Sequence, residues 1–153
     1  MNLEKAIKIA AEAHTGQVDK GGNPYILHPL RVMLSLGTEE ERIVGVLHDV
    51  VEDCDGWTWE QLKDQGCSDE IIEALQSVSK TPREEAEYRS LSEDKKLAHY
   101  LEFIKRAKSN KIGRNVKAAD INDNLDISRI DNMAERDLHR LNRYKAALKI
   151  LLE

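Results

Sequence analysis

The feature that most constrains the fold is a repeated pattern: apolar residues recur at the spacing of one helix face, and residues typical of a helix start occur several times along the chain. The segment Asn2–His14 carries apolar residues at the i, i+3, i+4 spacing of one helix face. Thr38, Thr58 and Thr81 are each followed three residues later by Glu or Gln, which is the pattern of a capping box. No segment alternates apolar and polar residues over the length of a strand. The sequence therefore predicts an all-α fold.

Glycines, prolines and polar turns separate the predicted helices. The length of 153 residues is typical of one domain, so we expect residues 1–153 to form a single helical bundle. The predicted helices cover approximately residues 2–14, 28–36, 38–53, 58–65, 69–79, 81–91, 97–108, 111–125 and 135–152.

The charge distribution limits the classes of partner. The formal net charge is −5, which argues against general binding of nucleic acids. The charge is uneven, because residues 39–94 have a net charge of −12 and residues 95–118 have a net charge of +7. The basic segment is either a solvated helix face or a local field for a small anionic ligand.

Membrane insertion and export are not expected. No apolar run approaches the roughly 18 residues of a membrane span, and the first residues read as an amphipathic helix rather than a signal peptide. Cys54 and Cys67 form no CxxC pair, so we expect free thiols in a reducing compartment. These observations predict a cytoplasmic protein.

A His-Asp pair interrupts the most apolar predicted helix. His48 and Asp49 follow a run of aliphatic residues, and such a pair is costly to bury without a partner. The pair is a hydrogen-bonded core pair, an exposed surface pair or a pair of metal ligands. In one continuous helix, Glu52 and Asp53 would lie one turn further along the same stripe. Three carboxylates in one stripe repel one another unless a cation lies among them, which favours a divalent metal.

Two other polar residues stand in apolar surroundings. His28 lies between a turn and a helix start, and Asp120 lies in a predicted helix with small neighbours. The number of residues that separates them from His48 and Asp49 does not indicate whether they are close in space. Only the fold can decide whether these four side chains meet.

Four sequence blocks in this order resemble the HD-domain phosphohydrolases, and in particular the hydrolase domain of the RelA/SpoT family. That domain removes pyrophosphate from the 3′ position of (p)ppGpp. The resemblance extends over approximately residues 5–127. The blocks are Ala13-His14-Thr15-Gly16-Gln17, Gly22-Asn23-Pro24-Tyr25-Ile26-Leu27-His28-Pro29, Leu47-His48-Asp49-Val50-Val51-Glu52-Asp53, and Lys117-Ala118-Ala119-Asp120 with Asn124.

The resemblance implies an HD-type helical bundle with one divalent metal. It implies that Glu52 and Asp53 position and activate water. In the RelA/SpoT hydrolases the metal is typically Mn²⁺, and the donor set also suits Fe²⁺ or Zn²⁺. The implied metal ligands are His28, His48, Asp49 and Asp120.

We expect a small anionic nucleotide-like substrate. Lys20, Tyr25, Lys117 and Asn124 are the candidate substrate contacts. For Tyr25 the alternative is a place in the core beneath the His28 loop. For Lys117 the alternatives are orientation of Asp120 or a position on the surface.

Two departures from the resembling sequences concern the substrate. The usual Arg-Lys pair is Asp19-Lys20 here, and Ile127 occupies a position that is usually Thr. The usual Asp-Arg-Leu-His-Asn segment is Asp120-Ile121-Asn122-Asp123-Asn124. We therefore expect the metal chemistry together with weaker or altered purine recognition.

Three functions remain open on the sequence alone: a (p)ppGpp hydrolase, an HD-type nucleotidase acting on another phosphate monoester, and a nucleotide-binding module without turnover. The presence of both Glu52 and Asp53 argues against the third. The oligomeric state is not predicted.

Overall fold

The computed structural model describes all 153 residues, which form ten α-helices, one 3₁₀ turn and no β-sheet. The predicted all-α helical domain is confirmed. None of the helices combines the length and apolar character that crossing a membrane requires. The helices are α1 Leu3–Ala13, α2 Leu27–Leu34, α3 Glu39–Leu47, α4 Val50–Asp53, α5 Trp59–Asp64, α6 Asp69–Val78, α7 Pro82–Ser90, α8 Glu93–Ser109, α9 Lys111–Asn124 and α10 Glu135–Leu152, and the 3₁₀ turn is Ile127–Arg129.

The helix starts follow the local capping chemistry that the sequence predicts. The hydroxyl oxygens of Thr38, Thr58 and Thr81 each accept a hydrogen bond from the backbone N–H three residues later. In each case the Glu or Gln side chain at that third position bonds back to the capping residue. Asn2 caps α1 and Ser68 caps α6 through the same side-chain contact.

The predicted continuous helix over residues 38–53 is wrong, because the chain breaks at His48 and Asp49 into α3 and α4. The His48 Nδ1–H donates to the Gly45 carbonyl oxygen at 2.7 Å. In a continuous helix that carbonyl would accept from the Asp49 N–H. The side chain thus replaces a helical hydrogen bond, so His48 belongs to the end of α3, whereas Asp49 is the N-cap of α4, the helix of Glu52 and Asp53.

Two buried clusters of apolar side chains form the core, and α9 belongs to both. The larger cluster joins α1, α2, α3 and α6, and it includes Val116 of α9. The smaller cluster joins α8 and α10, and it includes Ile121 of α9. Lys117 and Asp120 lie between these two apolar residues, so α9 carries buried charge at the junction of the two clusters.

The start of α9 packs closely against the end of α6. A Cβ atom placed on Gly113 would lie 2.0 Å from Ser77 Oγ and 3.3 Å from Ser77 Cβ. The Ser77 hydroxyl donates to the Ala74 carbonyl oxygen at 2.7 Å, which holds it in this contact. The absence of a side chain at residue 113 therefore sets the distance between the two helices.

Gly113→Ala is expected to lower the free energy of unfolding by about 1–3 kcal/mol, because the new methyl group overlaps the Ser77 hydroxyl. Ser77→Ala removes that hydroxyl, so the double variant should be more stable than the sum of the two single changes predicts. Urea unfolding of the four proteins in a double-mutant cycle measures this coupling. Strict additivity would contradict the contact.

Candidate metal centre

Four predicted ligand side chains converge from three parts of the fold. His28 comes from α2, His48 and Asp49 come from the break between α3 and α4, and Asp120 comes from α9. One donor atom from each of His28, His48 and Asp49 lies within 4.8 Å of the other two. The Asp120 Oδ1 atom lies 3.1 Å from His28 Nε2 and 3.6 Å from His48 Nε2. The predicted set is therefore brought together although its members are far apart in sequence.

The orientation of His48 directs a lone pair into this centre. Its Nδ1–H bonds to the Gly45 carbonyl, so Nε2 carries the free lone pair. His48 Nε2 is buried without a hydrogen-bond partner and lies 3.1 Å from Asp49 Oδ2. Two buried acceptor atoms in contact are costly unless a positive charge lies between them. The donor set therefore fits a cation.

His28 is oriented by a carboxylate that the sequence reasoning did not assign. The His28 Nδ1–H donates to Asp123 Oδ2 at 2.6 Å. Arg31 binds both oxygens of Asp123, through Nε at 2.7 Å and Nη2 at 3.1 Å. The Arg129 guanidinium also contacts Asp123. No local sequence signal marks these contacts, because Arg31 and Asp123 are separated by 92 positions.

Three of the four candidate substrate contacts hydrogen-bond to carboxylates of the centre. The Tyr25 hydroxyl donates to Asp49 Oδ2 at 2.5 Å. The Lys117 ammonium donates to Asp120 Oδ2 at 2.7 Å, and the Asn124 amide donates to Asp120 Oδ1 at 2.8 Å. These hydrogen bonds restrict the rotation of the Asp49 and Asp120 carboxylates.

The electrostatics of the centre favour positive charge. Burial alone would raise the pKa of Asp49 and Asp120, but His48 and Lys117 respectively hold the pKa of each carboxyl below its ordinary value. Burial alone would lower the pKa of His28 and His48, but Asp120 and Asp49 raise the pKa of both imidazoles. Carboxylates that resist protonation and imidazoles that attract a proton both indicate a cation site.

Two cavities lie near the centre, one with His28 in its wall and the other with Glu52 and Asp53. The smaller, of about 260 Å³, has His28, Tyr25, Asn124 and Lys20 in its wall, together with the guanidinium groups of Arg31, Arg129 and Arg140. The larger, of about 830 Å³, is lined by Glu52 and Asp53 and by the cations Lys80, Arg89 and Arg106. The predicted water-activating residues and most of the predicted substrate contacts therefore lie in different cavities.

Glu52 and Asp53 have raised pKa values in the larger cavity. Glu52 Oε2 accepts a hydrogen bond from the Lys80 backbone N–H at 2.9 Å, which fixes its position. Partial desolvation, followed by the charges of Asp49 and Glu52, raises the pKa of Asp53 to about 7. Desolvation also raises the pKa of Glu52. A carboxylate with a pKa near neutrality is suited to accept a proton.

The predicted sources of positive charge are only partly at the site. In the basic segment 95–118, Lys95, Lys105 and Lys111 are exposed, whereas Arg106 reaches the larger cavity and Lys117 reaches Asp120. Asp19 lines the smaller cavity, where its Oδ1 accepts from the N–H groups of Gly21 and Asn23 at 2.9 Å. The Asp that replaces the usual Arg therefore forms the turn of this loop.

A comparison with protein families finds a family model that matches about two thirds of the chain. Residues 6–110 match the model of the HD domain. The chain belongs to the HD-domain family. The match contains His28, His48 and Asp49 and ends before Asp120, which the structure nevertheless brings to the same centre.

Several proteins similar to this chain are named as enzymes that make or hydrolyse guanosine polyphosphates. The resemblance to the RelA/SpoT family is thereby confirmed. The chain is 40% identical over 84 residues to the putative GTP diphosphokinase RSH1, chloroplastic, of Arabidopsis thaliana, a match of 51% of this chain and 10% of that protein. It is 37% identical over 82 residues to the guanosine-3′,5′-bis(diphosphate) 3′-pyrophosphohydrolase of Aquifex aeolicus, a match of 51% of this chain and 12% of that protein.

The GTP pyrophosphokinase of Myxococcus xanthus is 32% identical over 106 residues, a match of 67% of this chain and 14% of that protein. The matched part is thus only about a tenth to a seventh of the length of these curated relatives. A solved structure described as a metazoan ortholog of SpoT that hydrolyzes ppGpp superposes with a TM-score of 0.76. It covers 97% of this chain and 84% of that chain at 22% identity, which shows a shared fold.

Lys117→Met is expected to lower the free energy of unfolding by about 3–5 kcal/mol, because it leaves the buried Asp120 carboxylate without its ammonium partner. Lys105→Met is the matched control in the neighbouring helix, since Lys105 pairs with Glu102 on the exposed surface. Urea unfolding measures both. Equal stability of the two variants would show that the Lys117–Asp120 pair is energetically neutral.

Proposed function

We propose that this HD-domain chain is a metal-dependent phosphohydrolase acting on a nucleotide phosphate or pyrophosphate ester, with (p)ppGpp as the leading candidate substrate. The observation that carries the proposal is the convergence of His28, His48, Asp49 and Asp120, with His28 in the wall of the smaller cavity. The cations in that wall, Lys20, Arg31, Arg129 and Arg140, outnumber the carboxylates of Asp19 and Asp126. A centre that attracts a cation beside a wall with an excess of positive charge suits the hydrolysis of a phosphate ester.

The four converging side chains would hold one divalent ion. Two imidazoles and two carboxylates suit Mn²⁺, Fe²⁺ or Zn²⁺ better than Ca²⁺ or Mg²⁺, and we propose Mn²⁺. A divalent ion supplies two effects when bound, since it acidifies water and polarises a phosphoryl oxygen. Each imidazole Nε2 lies 3.1 to 3.7 Å from an oxygen of Asp49 and from an oxygen of Asp120, so the four side chains are close enough to share one ion.

Glu52 and Asp53 are the proposed proton acceptors. The hydrogen bond from the Lys80 N–H holds Glu52 in place, and the pKa of about 7 allows Asp53 to take and release a proton near neutral pH. Their side chains reach solvent in the larger cavity, from which water can enter. Their presence supports turnover rather than binding alone.

The proposed substrate contacts are Lys20, Tyr25 and Asn124, which share the wall of the smaller cavity with three arginines. For Lys117, the hydrogen bond to Asp120 supports the alternative that it orients this ligand. Cationic side chains offset the repulsion between a phosphate group and the carboxylates nearby. Both cysteines are free thiols, which supports our proposal of a cytoplasmic location.

Glu52→Gln is expected to retain Mn²⁺ binding and to lower kcat by about 10²–10⁴-fold, because it removes a proton acceptor without removing a ligand. His48→Ala is the contrasting variant, and it should lose both Mn²⁺ affinity and turnover. Calorimetric titration with Mn²⁺ and a phosphate-release assay separate the two effects. Full activity in Glu52→Gln would disprove its role as the base.

The proposed reaction is tested by a release assay for phosphate and pyrophosphate over a nucleotide panel, with Mn²⁺ and with a chelator. We expect metal-dependent release, and a preference for (p)ppGpp over nucleoside monophosphates would identify the pyrophosphate ester as the substrate. Preference for a monophosphate would support an HD-type nucleotidase. This alternative is favoured by Asp19, which lies in the smaller cavity where the resembling sequences usually have an Arg. Binding of nucleotide without release of either product would contradict hydrolysis.

A further inference from the structure

The two imidazoles of the centre are held in different ways. The Nδ1–H of His48 bonds to a backbone carbonyl three residues earlier in its own helix. The Nδ1–H of His28 bonds to the side chain of Asp123, 95 residues later in the sequence. One orientation is therefore fixed by local backbone, and the other depends on a single carboxylate in α9.

Asp123 is itself held from two directions. Arg31, on the same helix as His28, binds both carboxylate oxygens in a bidentate contact. Arg129, in the 3₁₀ turn, contacts Oδ2 and the Asp123 carbonyl oxygen. The Asp123 side chain is only 11% exposed. Three donors thus surround a nearly buried carboxylate, and the imidazole is one of them.

This arrangement determines which nitrogen of His28 carries the proton. A carboxylate that already binds guanidinium groups is only an acceptor, so the ring nitrogen that faces it must be an N–H. With Nδ1 engaged by Asp123, Nε2 is the nitrogen left to face the centre, 3.1 Å from Asp120 Oδ1 and 3.7 Å from Asp49 Oδ2, and it would offer its lone pair to an ion bound there. A carboxylate behind a ligating imidazole also makes that imidazole a better donor.

We propose that Asp123, anchored by Arg31, is a positioning residue that holds His28 in the tautomer and orientation required to bind a divalent metal. This inference rests on the metal centre of the proposed function but is independent of the reaction and the substrate. Residue 123 is also a departure from the resembling sequences, which usually carry a His there.

The test uses the full chain and Mn²⁺ alone, titrated by calorimetry. Asp123→Asn is expected to weaken Mn²⁺ binding by about 10–100-fold, because a neutral amide can donate to His28 Nδ1 as well as accept from it. Asp126→Asn is the matched control, since Asp126 contacts Ser128 and Arg129 but not His28. Its Mn²⁺ affinity should stay within about twofold of that of the unchanged protein.

Nitrogen-15 NMR of the histidine rings, with diamagnetic Zn²⁺ bound in place of Mn²⁺, distinguishes positioning from a general structural role. We expect a protonated Nδ1 on His28 in the unchanged protein and a mixture of tautomers in Asp123→Asn. Loss of affinity with an unchanged tautomer would overturn the inference, and so would unaltered affinity in Asp123→Asn. If the unchanged protein binds no Mn²⁺, the metal centre and this inference both fail. If it binds Mn²⁺ as expected but hydrolyses no nucleotide, only the proposed reaction fails.

Discussion

The hydrogen bond from His48 to the Gly45 carbonyl is the interaction on which the centre depends. It ends α3 where the apolar run would otherwise continue, and it lets the chain turn before α4 begins. The same bond points Nε2 at Asp49 and Asp120. One hydrogen bond thus contributes both to the local backbone geometry and to the orientation of a predicted ligand.

The second constraint is the balance of buried charge along α9. Val116 and Ile121 belong to different apolar clusters, and the charged groups between them have to find partners within the protein. Asp120 accepts hydrogen bonds from Lys117 and Asn124, and its Oδ1 faces the two imidazoles. The helix that joins the two halves of the core therefore also carries the fourth predicted ligand, so packing and ligand placement depend on each other.

The sequence predicts the helical fold and most helix starts because capping is a local interaction between residues three positions apart. It does not predict the break at His48, since the apolar pattern continues through it and a side chain rather than a glycine or proline ends the helix. The resemblance suggests the ligand set, whereas spacing alone does not. The support of His28 by Asp123 and Arg31 is invisible in the sequence, because 95 and 92 positions separate the partners.

The separation between His28 and Asp123 has a consequence for folding. A contact between residues so far apart raises the contact order of the domain, and closing that loop costs entropy before the contact contributes stability. The apolar packing of α1 to α6 involves shorter separations, so it can form before α9 docks. The centre is consequently complete only once α9 has docked against α2 and α3, so occupancy by a divalent ion would report the docking of α9 in addition to the packing of the first six helices.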